Sequence, residues 1–241
     1  MKIVAMIPAR LGSKRIKQKN LRLLDGKPLV SHVLDKCKDA DIFSEIYINS
    51  ESGIFKSVAD EYGVKLYLRD PIFATDDATN DQFILDFINH IDCDIVVQVN
   101  PTSPFVTSNE IKSFVEKMLE GNFDTMLSVK REQVEGFYQW KQLNFNQMKQ
   151  MPRSQDLEPI YLHCSTILAW KSKIIREKMD KYNCCTYGAD SKVGYFTFGS
   201  LANIDIDNEA DFEFAETIMQ YLKKPKNTKI EYYSADKKSD H

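Results

Sequence analysis

Residues 2–20 read KIVAMIPARLGSKRIKQKN. The first five residues are mainly apolar and predict a short buried strand. A loop follows that carries five basic side chains, one glycine and one serine. Loops of this composition present cations and backbone N–H groups to phosphate chains. A solvated basic loop beside an edge strand is the alternative interpretation.

Four residues of this loop are candidate phosphate ligands. Arg10, Lys14 and Lys19 can neutralise the charge of a triphosphate, and Gly12 allows the backbone to approach a ligand closely. The spacing matches neither a G-x-x-x-x-G-K-[ST] loop nor a G-x-G-x-x-G fingerprint. A phosphate site here would therefore be of another kind.

Strand-like and helix-like segments alternate along the rest of the chain. Helical periodicity is found over residues 29–38, 53–62, 80–91, 108–120 and 208–223. Strand patterns are found over residues 45–49, 64–68, 94–99, 125–130 and 193–198. Repeated βα units of this length predict an α/β fold with an open, doubly wound, mostly parallel sheet. Such sheets bind ligands at the carboxyl ends of their strands.

The length of 241 residues fits one large α/β domain, which we expect over residues 1–224. The periodicity is weak between residues 131 and 160, where the sequence is polar and aromatic. Nearly thirty structureless residues are unusual in a compact domain, so this stretch predicts an insertion. Residues 225–241 are charged and poor in aliphatic side chains, which predicts a loosely ordered tail.

The composition excludes several classes of function. A net charge of −3 gives no general attraction for nucleic acid. No apolar stretch approaches the ~20 residues that span a bilayer, and no signal-peptide pattern precedes the first strand. The five cysteines are an odd number without a C-x-x-C pair, which indicates free thiols. We therefore expect a cytoplasmic protein that binds neither nucleic acid nor a membrane.

The segment Asn203–Asp207 contains two carboxylates. Alternation in an extended segment places Asp205 and Asp207 on the same side, about 7 Å apart. Two such carboxylates can share Mg²⁺ with phosphate oxygens. The alternative is that Asp207 only caps the helix that begins near Asn208.

Polar side chains also follow the predicted strands 64–68 and 94–99. Gln98, Thr102 and Ser103 lie where two prolines force the chain to turn, at the carboxyl end of a strand. A rigid turn with capping hydroxyls explains Thr102 and Ser103 equally well. Arg69 carries a forked guanidinium that can bind a ligand, or it can simply pair with Asp70.

Several of these stretches together resemble the acylneuraminate cytidylyltransferases, the enzymes that make CMP-sialic acid. Residues 7–20 match the family pattern I-P-A-R-x-G-S-K-x-x-x-x-K-N, and G-K-P-L follows at residues 26–29. Residues 69–76 resemble R-P-x-x-L-A-x-D, and residues 98–105 resemble Q-P-T-S-P-L-R. Residues 153–161 resemble R-x-Q-D-L-P-P-x-Y, and residues 205–216 resemble D-I-D-T-P-E-D-L-E-L-A-E.

The resemblance implies a Rossmann-like nucleotidyltransferase that transfers CMP from CTP to a sialic acid-like nonulosonate and releases pyrophosphate. It implies Mg²⁺ as cofactor and a homodimer in which residues 131–160 pack on the second subunit. The implied catalytic residues are Arg10, Lys19, Asp205 and Asp207, of which the two aspartates hold the metal. The implied nucleotide ligands are Arg10, Gly12, Ser13, Lys14, Lys19, Asn20 and Arg69. The implied ligands of the sugar acid are Gln98, Thr102, Ser103, Arg153 and Gln155.

Two positions on the acceptor side depart from the family pattern. Val106 stands where the family has arginine, and Cys164-Ser165 stands where it usually has Asn-Gly. Three alternatives therefore stay open: a cytidylyltransferase for another acid such as an octulosonate or a phosphonate, a metal-dependent glycosyltransferase, and a non-enzymatic nucleotide-binding module.

Overall fold

The structure, a computed structural model, describes residues 1–199, residues 201–224 and Tyr232. The predicted tail lies outside the described residues, apart from Tyr232. The strands are β1 Ile3–Pro8, β2 Leu23–Leu24, β3 Lys27–Pro28, β4 Glu45–Ser50, β5 Lys65–Leu68, β6 Ile95–Val99, β7 Thr125–Glu132, β8 Phe137–Tyr138, β9 Lys141–Gln142, β10 Ile160–Lys171 and β11 Val193–Thr197. The α-helices are α1 Leu29–Asp39, α2 Phe55–Tyr62, α3 Asn80–His90, α4 Ser108–Glu120, α5 Ser172–Tyr182 and α6 Glu209–Lys223.

The main sheet of the described chain has seven strands in the order β11-β7-β10-β6-β1-β4-β5. Strand β1 lies near its centre and pairs in parallel with β4 and β6. The pairs β4–β5 and β7–β11 are also parallel. Only β10 runs antiparallel to its neighbours, β6 and β7. The predicted doubly wound, mostly parallel sheet is confirmed.

Both faces of the sheet are covered by helices, which is why β1 is apolar at successive positions. Ala5 and Ile7 belong to a core that includes side chains of α1, α2 and α4. Val4 and Met6 belong to a second core that includes side chains of α3 and α5. A third, smaller cluster packs Phe212 of α6 against residues of the basic loop and of the segment before α6.

The predicted segments agree with the observed ones to within a few residues, but one helix escaped prediction. Helix α5 follows β10 directly and contains mostly charged side chains, with Ile175 buried in the second core. Six of its eleven residues are charged, so its apolar side chains are too few to mark it clearly as a helix.

Residues 131–160 contain the short β8–β9 hairpin, a 3₁₀ helix at Ser154–Asp156 and irregular segments. The side chain of Asn144 connects three segments of this insertion. Its amide oxygen accepts the N–H of Gly136, and its amide nitrogen donates to the carbonyls of Val134 and Glu158. Trp140 at the tip of the hairpin is 94% exposed. The insertion therefore presents apolar side chains to solvent.

A search of the described residues for a helix both long and apolar enough to cross a lipid bilayer finds none.

Candidate active site

An open cavity of about 370 Å³ lies beside the carboxyl ends of β1, β5 and β6. It is lined by residues of the loops that follow these strands: Pro8, Arg10, Lys19, Asn20, Arg69, Phe73, Ala74, Thr75, Asp76, Ala78, Phe83, Asn100, Pro101 and Thr102. A second cavity of about 280 Å³ shares four of these residues and adds Ser13, Lys14 and Arg15. The structure thus brings most of the predicted nucleotide ligands together at the edge where parallel sheets bind ligands.

The start of the basic loop is held by hydrogen bonds to two neighbouring segments. The N–H of Ala9 donates to the carbonyl of Asn49 at 2.9 Å. The side-chain amide of Asn20 donates to the carbonyl of Arg10 at 3.0 Å. Further along the loop, a Cβ at Gly12 would meet no atom within 4 Å. Packing of the protein therefore does not require glycine there, whereas the close approach of a ligand would favour it.

Two carboxylates balance the charge of the basic loop. Asp76 forms ion pairs with Lys14 and with Arg10, the latter at 3.2 Å. Lys14 and then Arg10 lower the pKa of Asp76, so this carboxylate stays ionised. Asp207 pairs with Arg15 at 2.9 Å. The loop therefore has two acidic partners from distant parts of the chain.

Lys19 connects the basic loop to the segment that carries the two aspartates. Its side chain is only 12% exposed, and Nζ donates to the carbonyl of Ile206 at 2.6 Å. Nζ also lies 3.5 Å from the carboxylate of Asp207. Burial lowers the pKa of Lys19, while the charges of Asp207 and Asp205 oppose this shift. The three side chains therefore form one electrostatic unit.

The two aspartates flank a buried anchor. Ile206 is completely buried, and its N–H donates to the carbonyl of Thr102 at 2.9 Å. Asp205 is partly accessible to solvent. Protein atoms nevertheless surround its carboxylate closely enough for desolvation to raise its pKa. A hydrogen bond from Thr102 partly offsets this rise. Asp207 is not the helix cap, because Asn208 caps α6 through a reciprocal pair of bonds with Asp211.

The donor set suits a metal that is shared with phosphate. Within the described ranges, 1–199 and 201–224, no group of three or more His, Cys, Asp or Glu side chains is arranged to hold a metal ion. Asp205 and Asp207 therefore offer two carboxylates rather than a full set of ligands. This fits Mg²⁺, which is usually bound through one or two carboxylates together with substrate phosphates and water.

Arg69 is buried, with its guanidinium 5.2 Å from the centre of the Phe83 ring. Its terminal nitrogens lie 3.6 Å from Glu51 and 3.5 Å from the side-chain oxygen of Asn49. Burial lowers its pKa, and the charge of Glu51 opposes that effect. Asp70 does not serve as its partner, since it caps the following 3₁₀ helix by accepting the N–H of Ile72.

The residues after β6 divide into two groups. Thr102 and Asn100 line the larger cavity, whereas Gln98 and Ser103 are buried beside it. The amide nitrogen of Gln98 donates to Asn100 at 3.0 Å. Its oxygen has no hydrogen-bond partner among the described residues. A buried acceptor without a donor costs free energy, so it suits a site that receives a donor from a ligand.

Arg153 and Gln155 lie apart from this assembly. Both belong to the insertion, and Arg153 is exposed and paired with Asp156 at 2.7 Å. Neither residue is among the described residues that line the two cavities. Within one chain, the structure does not bring them to the other predicted ligands.

The sequence analysis missed three polar residues of the site. The sequence patterns assign no role to Asp76, Asn100 or Glu51. Each follows a strand of the sheet, Glu51 immediately after β4. Position at the carboxyl end of a strand is the signal that would have identified them.

The family model described as Cytidylyltransferase matches residues 4–238. The chain belongs to the cytidylyltransferase family. It is 30% identical to an N-acylneuraminate cytidylyltransferase of Escherichia coli O18:K1:H7 over 96% of its length and 55% of that protein. It is 37% identical to a CMP-N,N'-diacetyllegionaminic acid synthase of Legionella pneumophila over 48% of its length and 53% of that protein. The chain spans little more than half the length of the N-acylneuraminate cytidylyltransferases that it matches.

Among solved structures, the fold resembles a CMP:2-keto-3-deoxy-manno-octonic acid synthetase in complex with CTP. The TM-score is 0.70 at 16% sequence identity, over 92% of this chain and 100% of the other. This likeness confirms the nucleotidyltransferase-like architecture of the cytidylyltransferase.

Proposed function

We propose that the protein transfers CMP from CTP to a sugar acid of the sialic acid type and releases pyrophosphate. The observation that carries the proposal is the convergence of Arg10, Lys19, Asn20 and Arg69 on one cavity beside the Asp205–Asp207 segment. The relatives named for N-acylneuraminate and for CMP-N,N'-diacetyllegionaminic acid support the class of acceptor. A nucleotide-binding module without catalysis would not need the aspartates next to the phosphate cations.

In this reaction the acceptor hydroxyl forms a bond to the α-phosphorus of CTP. The bond from that phosphorus to the oxygen that bridges it to the β-phosphorus breaks, and this oxygen leaves with pyrophosphate. The hydroxyl proton is released. Arg10, Lys14 and Lys19 hold the triphosphate and neutralise the charge that develops on the leaving group. Ser13 and Asn20 orient the phosphates and the ribose, and Arg69 donates to the cytosine. Catalysis rests on positioning and charge compensation.

The acid side of the site is proposed to use Gln98, Thr102 and Ser103. The unpartnered oxygen of Gln98 accepts a hydrogen bond from a hydroxyl of the acceptor, and Thr102 both lines the cavity and donates to Asp205. Arg153 and Gln155 require a second subunit to reach a site, because they lie in the insertion. We therefore propose a homodimer in which each insertion contributes to the site of the partner.

Asp205 and Asp207 would hold Mg²⁺ together with the phosphates of CTP. When bound, the metal withdraws charge from the phosphate oxygens at which negative charge develops.

We expect Asp205→Asn to abolish the stimulation of activity by Mg²⁺. Substitution of Asp39, an exposed aspartate at the end of α1, by asparagine should leave the stimulation unchanged. Because the pKa of Asp205 is raised, protons displace the metal at a higher pH than at an ordinary aspartate. The Mg²⁺ concentration for half-maximal wild-type activity should therefore rise as the pH is lowered; full activity in EDTA would contradict the metal site.

We further propose that the protein works in the cytoplasm. All five cysteines are free, which fits a reducing compartment.

The test is release of pyrophosphate from each of the four ribonucleoside triphosphates against a panel of acids. The panel contains N-acetylneuraminic acid, N,N'-diacetyllegionaminic acid, an octulosonate and a phosphonate. The expected result is release that requires both CTP and a nonulosonate, with the CMP-sugar detected by mass spectrometry. A better rate with the octulosonate or the phosphonate would favour another cytidylyltransferase. Transfer from a nucleotide sugar without pyrophosphate release would favour a glycosyltransferase, and binding without turnover would favour a nucleotide-binding module.

A further inference from the structure

Glu51 lies between the phosphate side and the base side of the proposed nucleotide site. It is the first residue after β4, the strand that pairs with β1. Its side chain is 16% exposed. One carboxylate oxygen accepts the backbone N–H of Leu11 at 2.8 Å, and the other lies 3.6 Å from Arg69. A single side chain thus contacts both the basic loop and the arginine proposed to bind the base.

The contact with Leu11 fixes the peptide group from which Arg10 departs. The carbonyl of Arg10 and the N–H of Leu11 belong to the same peptide plane. Asn20 donates to the carbonyl, and Glu51 accepts from the N–H. Both ends of the plane are thus anchored, and the side chain of Arg10 lines the cavity, where its guanidinium pairs with Asp76 at 3.2 Å.

The contact with Arg69 stabilises a buried cation. Only 3% of the Arg69 side chain is exposed, and its Nε has no hydrogen-bond partner among the described residues. Among the ion pairs of the described chain, the one formed by Arg69 is with Glu51. A buried guanidinium without its carboxylate is strongly destabilised, so it would shift towards solvent or towards another acid.

We propose that Glu51 is a positioning residue that holds Arg10 and Arg69 at the spacing of a nucleotide, without touching the nucleotide itself. The inference rests on the proposed use of CTP. Its two contacts have different chemical requirements, because Leu11 needs an acceptor oxygen whereas Arg69 needs a negative charge. Substitutions that separate these two requirements can therefore test the proposal.

The experiment compares Glu51→Gln, Glu51→Ala and a control, Glu45→Gln. Glutamine keeps an acceptor oxygen for Leu11 and removes the charge, whereas alanine removes both. Glu45 is the first residue of the same strand and pairs with Lys2 and Lys65. It is thus a glutamate of β4 at the end of the strand opposite to the cavity. Each variant is titrated calorimetrically with CTP and with inorganic triphosphate, which has no base for Arg69 to contact.

For Glu51→Gln we expect the dissociation constant for CTP to rise about tenfold, which corresponds to about 1.4 kcal/mol. The constant for triphosphate should rise less than about threefold, because the basic loop keeps its acceptor. For Glu51→Ala both constants should rise at least about tenfold. Glu45→Gln should match the wild type with both ligands.

Three results would overturn the proposal. One is unchanged CTP binding in Glu51→Gln. Another is an equal loss of CTP and triphosphate binding in Glu51→Gln with a lowered melting temperature, which indicates a purely structural role. The Glu51→Gln comparison decides even if Glu51→Ala does not fold. The last is a wild-type protein that does not bind CTP, which would contradict the proposed function as well. The first two results, obtained with a wild type that binds CTP, would contradict only the role of Glu51.

Discussion

At the scale of single residues, the positive charges of the basic loop are balanced by carboxylates from other parts of the chain. Asp76 is the counter-ion of Arg10 and Lys14, and Asp207 is the counter-ion of Arg15 and Lys19. A triphosphate that binds Arg10 and Lys14 would replace the carboxylate of Asp76. The cations are therefore held close together by a group that a stronger anion can displace.

Lys19 is the cation whose loss should cost the most. It is the partly buried link between the loop and the carbonyl of Ile206, so Lys19→Ala removes a phosphate ligand and a structural contact together. Removal of a charge-assisted hydrogen bond costs about 1.5–3 kcal/mol, so we expect kcat/KM for CTP to fall at least about tenfold.

The matched control for Lys19→Ala is Lys17→Ala, two residues earlier in the same loop. Lys17 is exposed and lines neither of the two cavities formed by the described residues. Steady-state kinetics of both variants with varied CTP measure the difference. Near-normal kcat/KM in Lys19→Ala, or an equal loss in Lys17→Ala, would contradict the phosphate-binding role.

At the scale of elements, helix α6 shows why a sequence pattern can leave two roles open. Both Asp207 and Asn208 are good capping residues, and the sequence analysis retained Asp207 as a possible cap. The structure gives the cap to Asn208, because Asp211 stands three residues later and returns the hydrogen bond. Asp207 is thereby left to the site, where it pairs with Arg15 and Lys19.

The division of roles between these neighbours gives a test by stability. We expect Asn208→Ala to lower the free energy of unfolding by about 1 kcal/mol, the usual cost of a lost cap. Asp207→Asn should change it less, because the 2.9 Å pair with Arg15 is solvent-accessible and Lys19 keeps its hydrogen bond to the carbonyl of Ile206. Urea denaturation of the two variants and the wild type provides the measurement. A larger loss of stability in Asp207→Asn would return the capping role to Asp207.

The elements that the sequence predicts well are those with a strong local pattern. Buried parallel strands such as β6 are continuous apolar runs, and α4 begins with a capping box at Thr107 and Glu110. By contrast, α5 has few apolar residues, and its position depends on the long antiparallel strand β10 that precedes it. The contacts of Glu51 escaped prediction for a related reason. They join residues 40 and 18 positions away along the chain, and no local pattern encodes such distances.

At the scale of the whole molecule, the insertion exposes several large apolar side chains. Phe137, Tyr138, Trp140, Met148 and Met151 are all exposed. Clusters of exposed apolar side chains are typical of protein interfaces. Together with the absence of Arg153 from the described residues that line the two cavities, this supports the proposed homodimer.

We expect light scattering at micromolar concentration to show that the wild type is a dimer. The variant Trp140→Lys should be a monomer with reduced activity. The reason is that a lysine at the exposed tip of the hairpin would place a charge in the interface. Leu68→Lys is the control, since Leu68 is an exposed apolar residue of β5, at the opposite edge of the sheet from β11. It should remain a dimer. A fully active wild-type monomer would contradict the homodimer.

The two departures on the acceptor side bear on which acid the protein uses. Val106, where the resembled family has arginine, is completely buried in the core beneath the sheet. Cys164, where that family usually has asparagine, donates its thiol hydrogen to Asn203 at 3.3 Å. Position 106 thus holds an apolar core side chain instead of a charged one. The thiol at position 164 is hydrogen-bonded within the protein.

A missing arginine removes a charged hydrogen bond worth about 1.5–3 kcal/mol, or roughly tenfold to a hundredfold in affinity. We therefore expect the protein to select CTP over other nucleotides but to use N-acetylneuraminic acid poorly compared with a related nonulosonate. The measurement is kcat/KM across the acid panel at saturating CTP. The prediction depends on the acceptor site differing while the nucleotide site is intact, so CTP selectivity serves as the internal control. If N-acetylneuraminic acid gives the highest kcat/KM, Val106 and Cys164 are neutral replacements and other residues bind the acceptor. Arg153 of the insertion would then be the first residue to substitute.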